Sequence, residues 1–345
     1  MGQGFIRGAI LARILHELPG PKDSSVMELV RSRSQGPRNL MDTTKLNDKP
    51  HHDKQLKIPL FLLLIFCNFS AVIAQTSSQT GIASVNGTEL YYEIAGEGHP
   101  LILIHGGAVD SRAWDDQFAV FAQHHKVVRY DLRGAGKSGN RDKPFSNSKD
   151  LYALLKFLNI DKTYLLGISR GGGIAYDLAL EHPEMVDALI LVSANLSVHV
   201  PAYREMFERA TEAGKKSGAT AAAEVWGNDP YQGPMRESAR ARVIEVLTDN
   251  MPRFRYFDGH VPVEQRSSSD IPRSQRLVEI RAPTLVISGA HDNIVARENS
   301  RNWASGIPDA KLVVFPNAAH LVNIDQVDEF NQLILEFLTR PAYQN

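Results

Sequence analysis

The sequence predicts an α/β fold with a mostly parallel central sheet, helices on both faces and a helical cap insertion. Three observations predict it. Short continuous apolar runs recur after about residue 80, as in strands that are buried on both faces. Amphipathic segments separate these runs, and the alternation of strand and helix favours a parallel sheet. One interval, residues 195–282, has helical patterns but no buried strand.

Seven segments have the pattern of strands. Residues 88–96 alternate apolar and polar side chains, which predicts a half-buried antiparallel strand. The other six are continuous apolar runs, at residues 101–107, 126–131, 163–169, 188–194, 284–289 and 311–316. Helical patterns lie between or after them, at residues 111–124, 149–158, 172–183, 296–305 and 327–338.

This order divides the chain into four predicted segments. They are an N-terminal extension with a signal peptide (1–74), the first part of the core (75–194), the cap (195–282) and the second part of the core (283–345). Within the cap, residues 202–214 and 237–250 are amphipathic. We expect the cap to cover the carboxyl ends of the strands, where α/β sheets bind their ligands.

Residues 58–74 have the features of a secretory signal: two lysines before an apolar run, and small residues before a cleavage site after Ala74. Because signals begin near the start of a chain, we hypothesise that translation starts at Met41; Met1 is the other candidate. We expect a secreted or periplasmic product that meets the membrane only transiently, through this segment. The alternative is an uncleaved membrane anchor, although the run is shorter than the roughly 20 apolar residues of a span.

Composition narrows the class of partner. The formal net charge is −1 and no basic stripe lies beyond the N-terminal region, which argues against nucleic-acid binding. The single cysteine, Cys67, lies in the signal segment, and no Cys or His spacing is typical of a metal site. We expect a small-molecule substrate, no metal and no cofactor; the sequence carries no signal for an oligomeric state.

A lone serine stands between glycines at the junction of a predicted strand and a predicted helix. The pattern Gly167-x-Ser169-x-Gly171 in this context is typical of a strained turn that presents a nucleophilic serine. Side chains at the flanking positions would collide with the neighbouring strand and helix. The alternative is that Ser169 is a helix N-cap beside a glycine-rich turn.

A nucleophilic serine needs a histidine base and an acid that orients the histidine. Both are expected after the serine, in the order acid then histidine, each just beyond a strand. Asp292 and His320 satisfy this order. Asp131 also ends a strand but precedes Ser169, and His291 lies on the acid's own loop, where a surface or hydrogen-bonding role is expected.

The transition state also needs donors for its developing oxyanion, and removal of one costs about 2.7–4 kcal/mol of barrier stabilisation. We predict the backbone N–H groups of Arg170, which follows the serine, and Gly107, in the loop after the first buried strand. His105 is expected to anchor that loop through its ring nitrogens. The side chain of Arg170 either approaches the substrate or forms a salt bridge below the loops.

The segments HGG, YDLRGAGKSG, GISRGGG, SGAHD and NAAH together resemble the α/β-hydrolase family from about residue 81 to 340. The resemblance implies the α/β-hydrolase fold, with an acyl-enzyme on Ser169 and proton transfer by the pair His320 and Asp292. Dehalogenases and epoxide hydrolases of this family carry an aspartate nucleophile, which Ser169 disfavours. The segment from residue 105 to 139 is most similar to the enol-lactonase and small-ester hydrolase branch.

The leading hypothesis is a serine hydrolase that cleaves a small carboxylic ester or lactone with water. One alternative is a carbon–carbon bond hydrolase or a perhydrolase with the same triad. Another class is a ligand-binding protein on this fold without catalysis; the loss of a triad residue would indicate it, and all three are present.

Overall fold

The computed structural model describes residues 78–141, 143–196, 201–253 and 272–339. The predicted signal segment, residues 58–74, lies outside these ranges, so cleavage after Ala74 and secretion stay predictions. Among the described residues, no helix combines the length and the apolar character that crossing a membrane requires.

A single eight-stranded sheet forms the centre of the fold. Its strands are β1 (Gln79–Val85), β2 (Thr88–Ala95), β3 (Pro100–Ile104), β4 (Lys126–Tyr130), β5 (Thr163–Ile168), β6 (Val186–Val192), β7 (Thr284–Gly289) and β8 (Ala310–Phe315). The strand order is β1-β2-β4-β3-β5-β6-β7-β8. The pairs β1/β2 and β2/β4 are antiparallel, and all other pairs are parallel. The prediction of a mostly parallel sheet with an antiparallel β2 is confirmed.

Burial explains which strands the sequence predicts. Every residue of β5 and β7 is buried, so both strands are continuous apolar runs. β1 lies at the edge of the sheet and most of its residues are exposed or half-buried. It therefore lacks an apolar run, and the sequence analysis missed it.

Nine α-helices lie in the described part of the chain. They are α1 (Asp115–Phe121), α2 (Asn147–Phe157), α3 (Arg170–Glu181), α4 (Pro201–Ser217), α5 (Ala219–Gly227), α6 (Glu237–Asn250), α7 (Ile294–Gly306), α8 (Val322–Asp325) and α9 (Val327–Leu338). All the helical patterns of the sequence correspond to helices of the structure. The alanine-rich α5 and the single turn of α8 were not anticipated.

Helices cover both faces of the sheet, as predicted. Tyr176 of α3 and Trp303 of α7 are fully buried in the cluster on one face, together with leucines of α2. Phe121 of α1 and Phe330 of α9 belong to the cluster on the other face. Burial of one such side chain contributes about 1.5–3 kcal/mol, so the two clusters fix the sheet on which the site is built.

The helices α4, α5 and α6 follow one another between β6 and β7. They share an apolar cluster, which includes Met206, Ala222 and Val246. The same cluster contains Ala108 and Val109 from the loop after β3. These helices, which we call the cap helices, therefore pack against the loop that is predicted to hold the oxyanion; the boundaries of the cap at 195 and 282 stay a prediction.

Candidate active site

The predicted catalytic side chains come from three different strand ends. Ser169 follows β5, Asp292 lies just beyond β7 and His320 lies beyond β8. These strands are parallel in the sheet, and the carboxyl ends of parallel strands meet at one edge. The topology thus brings the three residues to the same edge of the molecule.

Ser169 has a strained backbone. Its φ is 55° and its ψ is −114°, a conformation that costs a residue with a side chain on the order of 1–3 kcal/mol. The backbone N–H donates to the carbonyl of Val192 at 2.8 Å, which ties the turn to β6. The side chain makes no capping hydrogen bond to α3. Ser169 thus occupies the N-cap position of α3, but its side chain does not cap the helix, and the strain is of the kind expected at a nucleophile turn.

Glycines around the serine are required by close backbone contacts. A Cβ at Gly171 would lie 2.2 Å from the carbonyl oxygen of Ile104, at the end of β3. A Cβ at Gly167 would lie 2.3 Å from the carbonyl oxygen of Gly171. Both distances are impossible without a shift of the backbone. The glycines thus allow the first turn of α3 to lie directly against β3, which brings Ser169 beside the loop that follows β3.

Asp292 and His320 form a buried hydrogen-bonded pair. The distance from Nδ1 of His320 to Oδ2 of Asp292 is 2.9 Å, and the side chains are 5% and 0% exposed. The other oxygen of Asp292 accepts the backbone N–H of Asn293 at 2.7 Å. Since both carboxylate oxygens have partners, the orientation of the carboxylate toward the imidazole is fixed.

The loops that carry the acid and the histidine are joined along their backbones. The N–H of Ala290 donates to the carbonyl of Phe315, and the N–H of His291 donates to the carbonyl of Ala318. A Cβ at Gly289 would lie 2.1 Å from the carbonyl oxygen of Ala319, so only glycine permits this approach. His291 is exposed, in agreement with the predicted surface position, and its backbone N–H makes this contact.

The loop from His105 to Ala108 borders the serine. A Cβ at Gly106 would lie 3.5 Å from the Cβ of Ser169. Arg170 is the first residue of α3, and N–H groups in the first turn of a helix favour negative charge. Gly107 and Arg170 line one small pocket on this loop. Ala108 has a φ of 59°, a strained conformation that the sequence analysis did not anticipate.

His105 holds this loop in place, as predicted. Its Nε2 accepts the backbone N–H of Leu132 at 2.9 Å, and its Nδ1 lies 2.8 Å from the carbonyl oxygen of Gly106. Because Nε2 accepts, the hydrogen-bond network assigns the proton to Nδ1, which donates to Gly106. Burial lowers the pKa of His105, which favours this neutral form. The ring therefore connects the loop after β3 with the loop after β4.

Asp131, the other acid at a strand end, organises loops. Its carboxylate accepts the N–H of Ser111 at 2.9 Å and the N–H of Lys137 at 2.8 Å. These contacts connect the loops after β3 and β4. The histidine is paired with Asp292 instead.

A buried asparagine joins the cap helices to the loops after β3 and β4. Nδ2 of Asn250, the last residue of α6, donates to Asp110 at 2.8 Å, and its Oδ1 accepts the N–H of Gly136 at 2.8 Å. Arg112 pairs with the same aspartate at 2.7 Å. Burial alone would raise the pKa of Asp110, but the hydrogen bonds from Arg112 and Asn250 lower it below its usual range. Sequence reasoning missed this contact, because 140 residues separate its two side chains.

The arrangement offers a serine hydroxyl, a buried imidazole–carboxylate pair and backbone N–H groups. In residues 78–339, as far as they are described, no group of three or more His, Cys, Asp and Glu side chains is arranged to hold a metal ion. The chemistry that these groups can perform is attack by a serine hydroxyl on an electrophilic carbon, with proton transfer through an imidazole.

Comparison with known proteins places the chain in a family. A family model of the α/β-hydrolase fold matches residues 99–327. The chain belongs to this family. As an α/β hydrolase with relatives that are named as hydrolases, it is an enzyme of the hydrolase class, and the resemblance deduced from the sequence motifs is confirmed.

Three relatives illustrate the range of this α/β hydrolase's neighbours. A protein of Agrobacterium fabrum, named as a candidate carbamate hydrolase (RutD), is 30% identical over 254 residues, which are 71% of this chain and 95% of the relative. The 2-hydroxy-6-oxo-6-(2'-aminophenyl)hexa-2,4-dienoic acid hydrolase of Metapseudomonas resinovorans is 27% identical over 268 residues, 75% of this chain and 90% of the relative. The solved structure of an enol-lactonase from Burkholderia xenovorans matches with a TM-score of 0.64 at 26% identity, and covers 75% of this chain and 100% of that chain.

Proposed function

We propose that this α/β hydrolase cleaves a small carboxylic ester or lactone through an acyl-enzyme on Ser169, with His320 as general base and Asp292 as the acid that orients it. The observation that carries the proposal is the buried hydrogen bond of 2.9 Å between His320 and Asp292. With Nδ1 bonded to the carboxylate, the exchange of a proton with Ser169 falls to Nε2. This is the tautomer that serine hydrolysis needs.

Acylation begins when Oγ of Ser169 attacks the carbonyl carbon and Nε2 of His320 takes its proton. The carbonyl oxygen becomes an oxyanion, and the N–H groups of Gly107 and Arg170 donate hydrogen bonds to it. Asp292 stabilises the imidazolium that forms. When the tetrahedral intermediate collapses, the bond to the alcohol oxygen breaks and His320 protonates that oxygen. An ester releases its alcohol, whereas a lactone keeps the hydroxyl on the acyl chain.

Deacylation repeats these steps with water. His320 takes a proton from a water molecule, whose oxygen attacks the acyl carbon of the Ser169 ester. Collapse of the second tetrahedral intermediate breaks the bond to Oγ, and His320 returns a proton to the serine. The products are a carboxylic acid and the regenerated enzyme.

The strain of Ser169 supports the same assignment. A structural serine at this turn would have no reason to persist with φ at 55°, because glycine adopts that conformation at little cost. The similarity to an enol-lactonase over all of that protein's length supports the choice of small esters and lactones as the substrate class.

A second candidate is carbon–carbon bond hydrolysis by the same residues. It is favoured by the relative from Metapseudomonas resinovorans, whose substrate by name is an oxo-dienoic acid. That compound contains no ester or amide, so its hydrolysis breaks a carbon–carbon bond beside the ketone. In such a reaction the leaving group is a stabilised carbanion, which His320 would protonate at carbon.

Two experiments test the proposal. Intact-mass spectrometry of the full chain after treatment with a fluorophosphonate is expected to give one stoichiometric adduct, which Ser169→Ala abolishes. Steady-state rates are then compared for p-nitrophenyl acetate, a simple γ-lactone and an aryl oxo-dienoate. We expect the ester and the lactone to be hydrolysed faster; preference for the oxo-dienoate would favour the second candidate, and a folded protein without an adduct would refute both.

A further inference from the structure

We propose that Asp325 is a positioning residue for His320, and that its carboxylate couples the position of the cap helices to the position of the histidine. The inference rests on the proposed role of His320 as general base. Asp325 is the last residue of α8, five positions after the histidine. It does not belong to the triad, and its side chain is buried.

The carboxylate of Asp325 binds two separate segments at once. Its Oδ1 accepts the backbone N–H groups of Met235, at 2.7 Å, and Arg236, at 3.1 Å, in the segment that leads into α6. Its Oδ2 accepts the N–H of Ala319 at 3.0 Å. Ala319 directly precedes His320, so one carboxylate joins the histidine's loop to the start of a cap helix.

The backbone of His320 makes a second connection to the same part of the cap. Its N–H donates to the carbonyl of Tyr231 at 3.1 Å. The turn that presents this carbonyl is shaped by Asp229, whose Oδ1 accepts the N–H groups of Tyr231 and Gln232. Residues 319 and 320 are thus both hydrogen-bonded to residues 231–236, which we call the cap segment; His320 binds it directly and Ala319 through Asp325.

The chemistry of the group explains why a carboxylate occupies this place. Burial raises the pKa of Asp325, although the backbone N–H groups of Ala319, Arg236 and Met235 act in the opposite direction. A carboxylate has two accepting oxygens and serves both segments, whereas an amide has one. An asparagine would therefore accept hydrogen bonds from either the cap segment or the histidine's loop. Its NH₂ group would face the N–H of the remaining segment, and two donors cannot bond to each other.

These contacts hold His320 at two places, with a consequence for catalysis. Asp292 fixes the imidazole of His320, and the cap segment fixes the backbone of the histidine's loop. Release of the cap segment would let the loop of His320 shift, and this shift would change the geometry of the pair with Asp292. The rate should therefore depend on the cap contact even for a substrate too small to need the cap for binding, because a misplacement of about 1 Å can cost about 10²-fold in rate.

The principal experiment compares Asp325→Asn with the wild type and with Asp328→Asn in the full chain. Asp328 is an exposed carboxylate three positions later, so it controls for the loss of charge near α9. With p-nitrophenyl acetate we expect Asp325→Asn to lower kcat between about 10- and 100-fold while KM changes less than about 2-fold. We expect Asp328→Asn to keep wild-type values.

A spectroscopic readout separates positioning from a general loss of structure. We expect the proton between Nδ1 of His320 and Asp292 to resonate at low field in the ¹H NMR spectrum, and its assignment is checked by its loss in His320→Ala. We expect this resonance to shift or broaden in Asp325→Asn and to stay unchanged in Asp328→Asn.

A variant that removes one backbone N–H tests the cap side of the contact. It also tests the role of Asp325 if Asp325→Asn fails to fold. The φ of Arg236 is −71°, which proline adopts, so Arg236→Pro deletes the N–H bonded to Asp325. Arg236→Ala is its matched partner, since both lose the ion pair of Arg236 with Asp116. We expect kcat of the proline variant to lie several-fold below that of the alanine variant.

The outcomes separate the two proposals. If His320→Ala keeps its activity, the proposed function fails. If His320→Ala is inactive but Asp325→Asn matches Asp328→Asn in kcat and in the low-field resonance, the proposed function stands and the role of Asp325 is overturned. Equal kcat values for Arg236→Pro and Arg236→Ala would overturn the coupling to the cap.

Discussion

The strained backbone of Ser169 should affect the free energy of unfolding, which can be measured without a substrate. Ser169→Gly and Ser169→Ala both remove the hydroxyl, but only glycine adopts a φ of 55° and a ψ of −114° without strain. We therefore expect the glycine variant to be the more stable of the two.

The size of the difference follows from three contributions. Relief of strain contributes about 1–3 kcal/mol to the glycine variant. The greater freedom of glycine in the unfolded chain removes about 0.4–1 kcal/mol. The Cβ that glycine lacks borders the loop at Gly106, where an added Cβ would lie 3.5 Å from it, and one contact between non-bonded atoms is worth only about 0.1–0.2 kcal/mol. The net expectation is from about 0 to about 2.5 kcal/mol in favour of Ser169→Gly, with a central value of about 1 kcal/mol.

Urea unfolding followed by circular dichroism measures this difference, with the wild type as reference. Thermal melting gives a second estimate, because about 1 kcal/mol corresponds to about 1–2 °C in a protein of this size. If Ser169→Gly is less stable than Ser169→Ala, the turn is not strained, and the backbone of Ser169 gives no support to a catalytic role.

Three further predictions test other parts of the structure. Asp292→Asn should keep the fold and lower kcat for p-nitrophenyl acetate by about 10⁴-fold, because the imidazole loses its tautomer; a rate near wild type would contradict the assignment. Gly171→Ala should lower the free energy of unfolding in urea by about 1–3 kcal/mol, because its Cβ meets the carbonyl of Ile104; unchanged stability would show that this contact relaxes freely. Burial and its neighbour His124 lower the pKa of His125 from 6.5 to about 4, so the unfolded chain binds more protons between these values and stability should fall as pH drops through them. His125→Phe should flatten that fall, by on the order of 1 kcal/mol after solvent screening, in melting temperatures measured from pH 7 to 4; an equally steep fall in the variant would exclude His125 as its source.

The parts of the fold that the sequence predicts are those in which local pattern and burial agree. β5 and β7 are buried along their whole length, so their apolar runs are unambiguous. The turn at Ser169 is predictable because the strand, the glycines and the helix are consecutive. Asp292 and His320 are predictable because each lies just past such a strand, and the structure brings them into hydrogen-bond contact.

The parts that the sequence does not predict depend on distant partners or on solvent-exposed positions. β1 has no apolar run because it lies at an edge. Asp325 binds Met235 across 90 positions of sequence, and Asn250 reaches an aspartate even farther away. No local pattern distinguishes these polar residues from surface ones, since their burial arises only when the cap helices meet the core.

The contacts between the cap segment and the histidine's loop use mainly backbone groups on the cap side. The N–H groups of Met235 and Arg236 and the carbonyl of Tyr231 make them, and almost any amino acid at these positions would offer the same atoms. Side chains of the cap can therefore diverge between related enzymes while its attachment is retained. Specificity could be changed by exchanging cap helices between members of the family, provided that Asp325 remains in the recipient core to receive the new backbone.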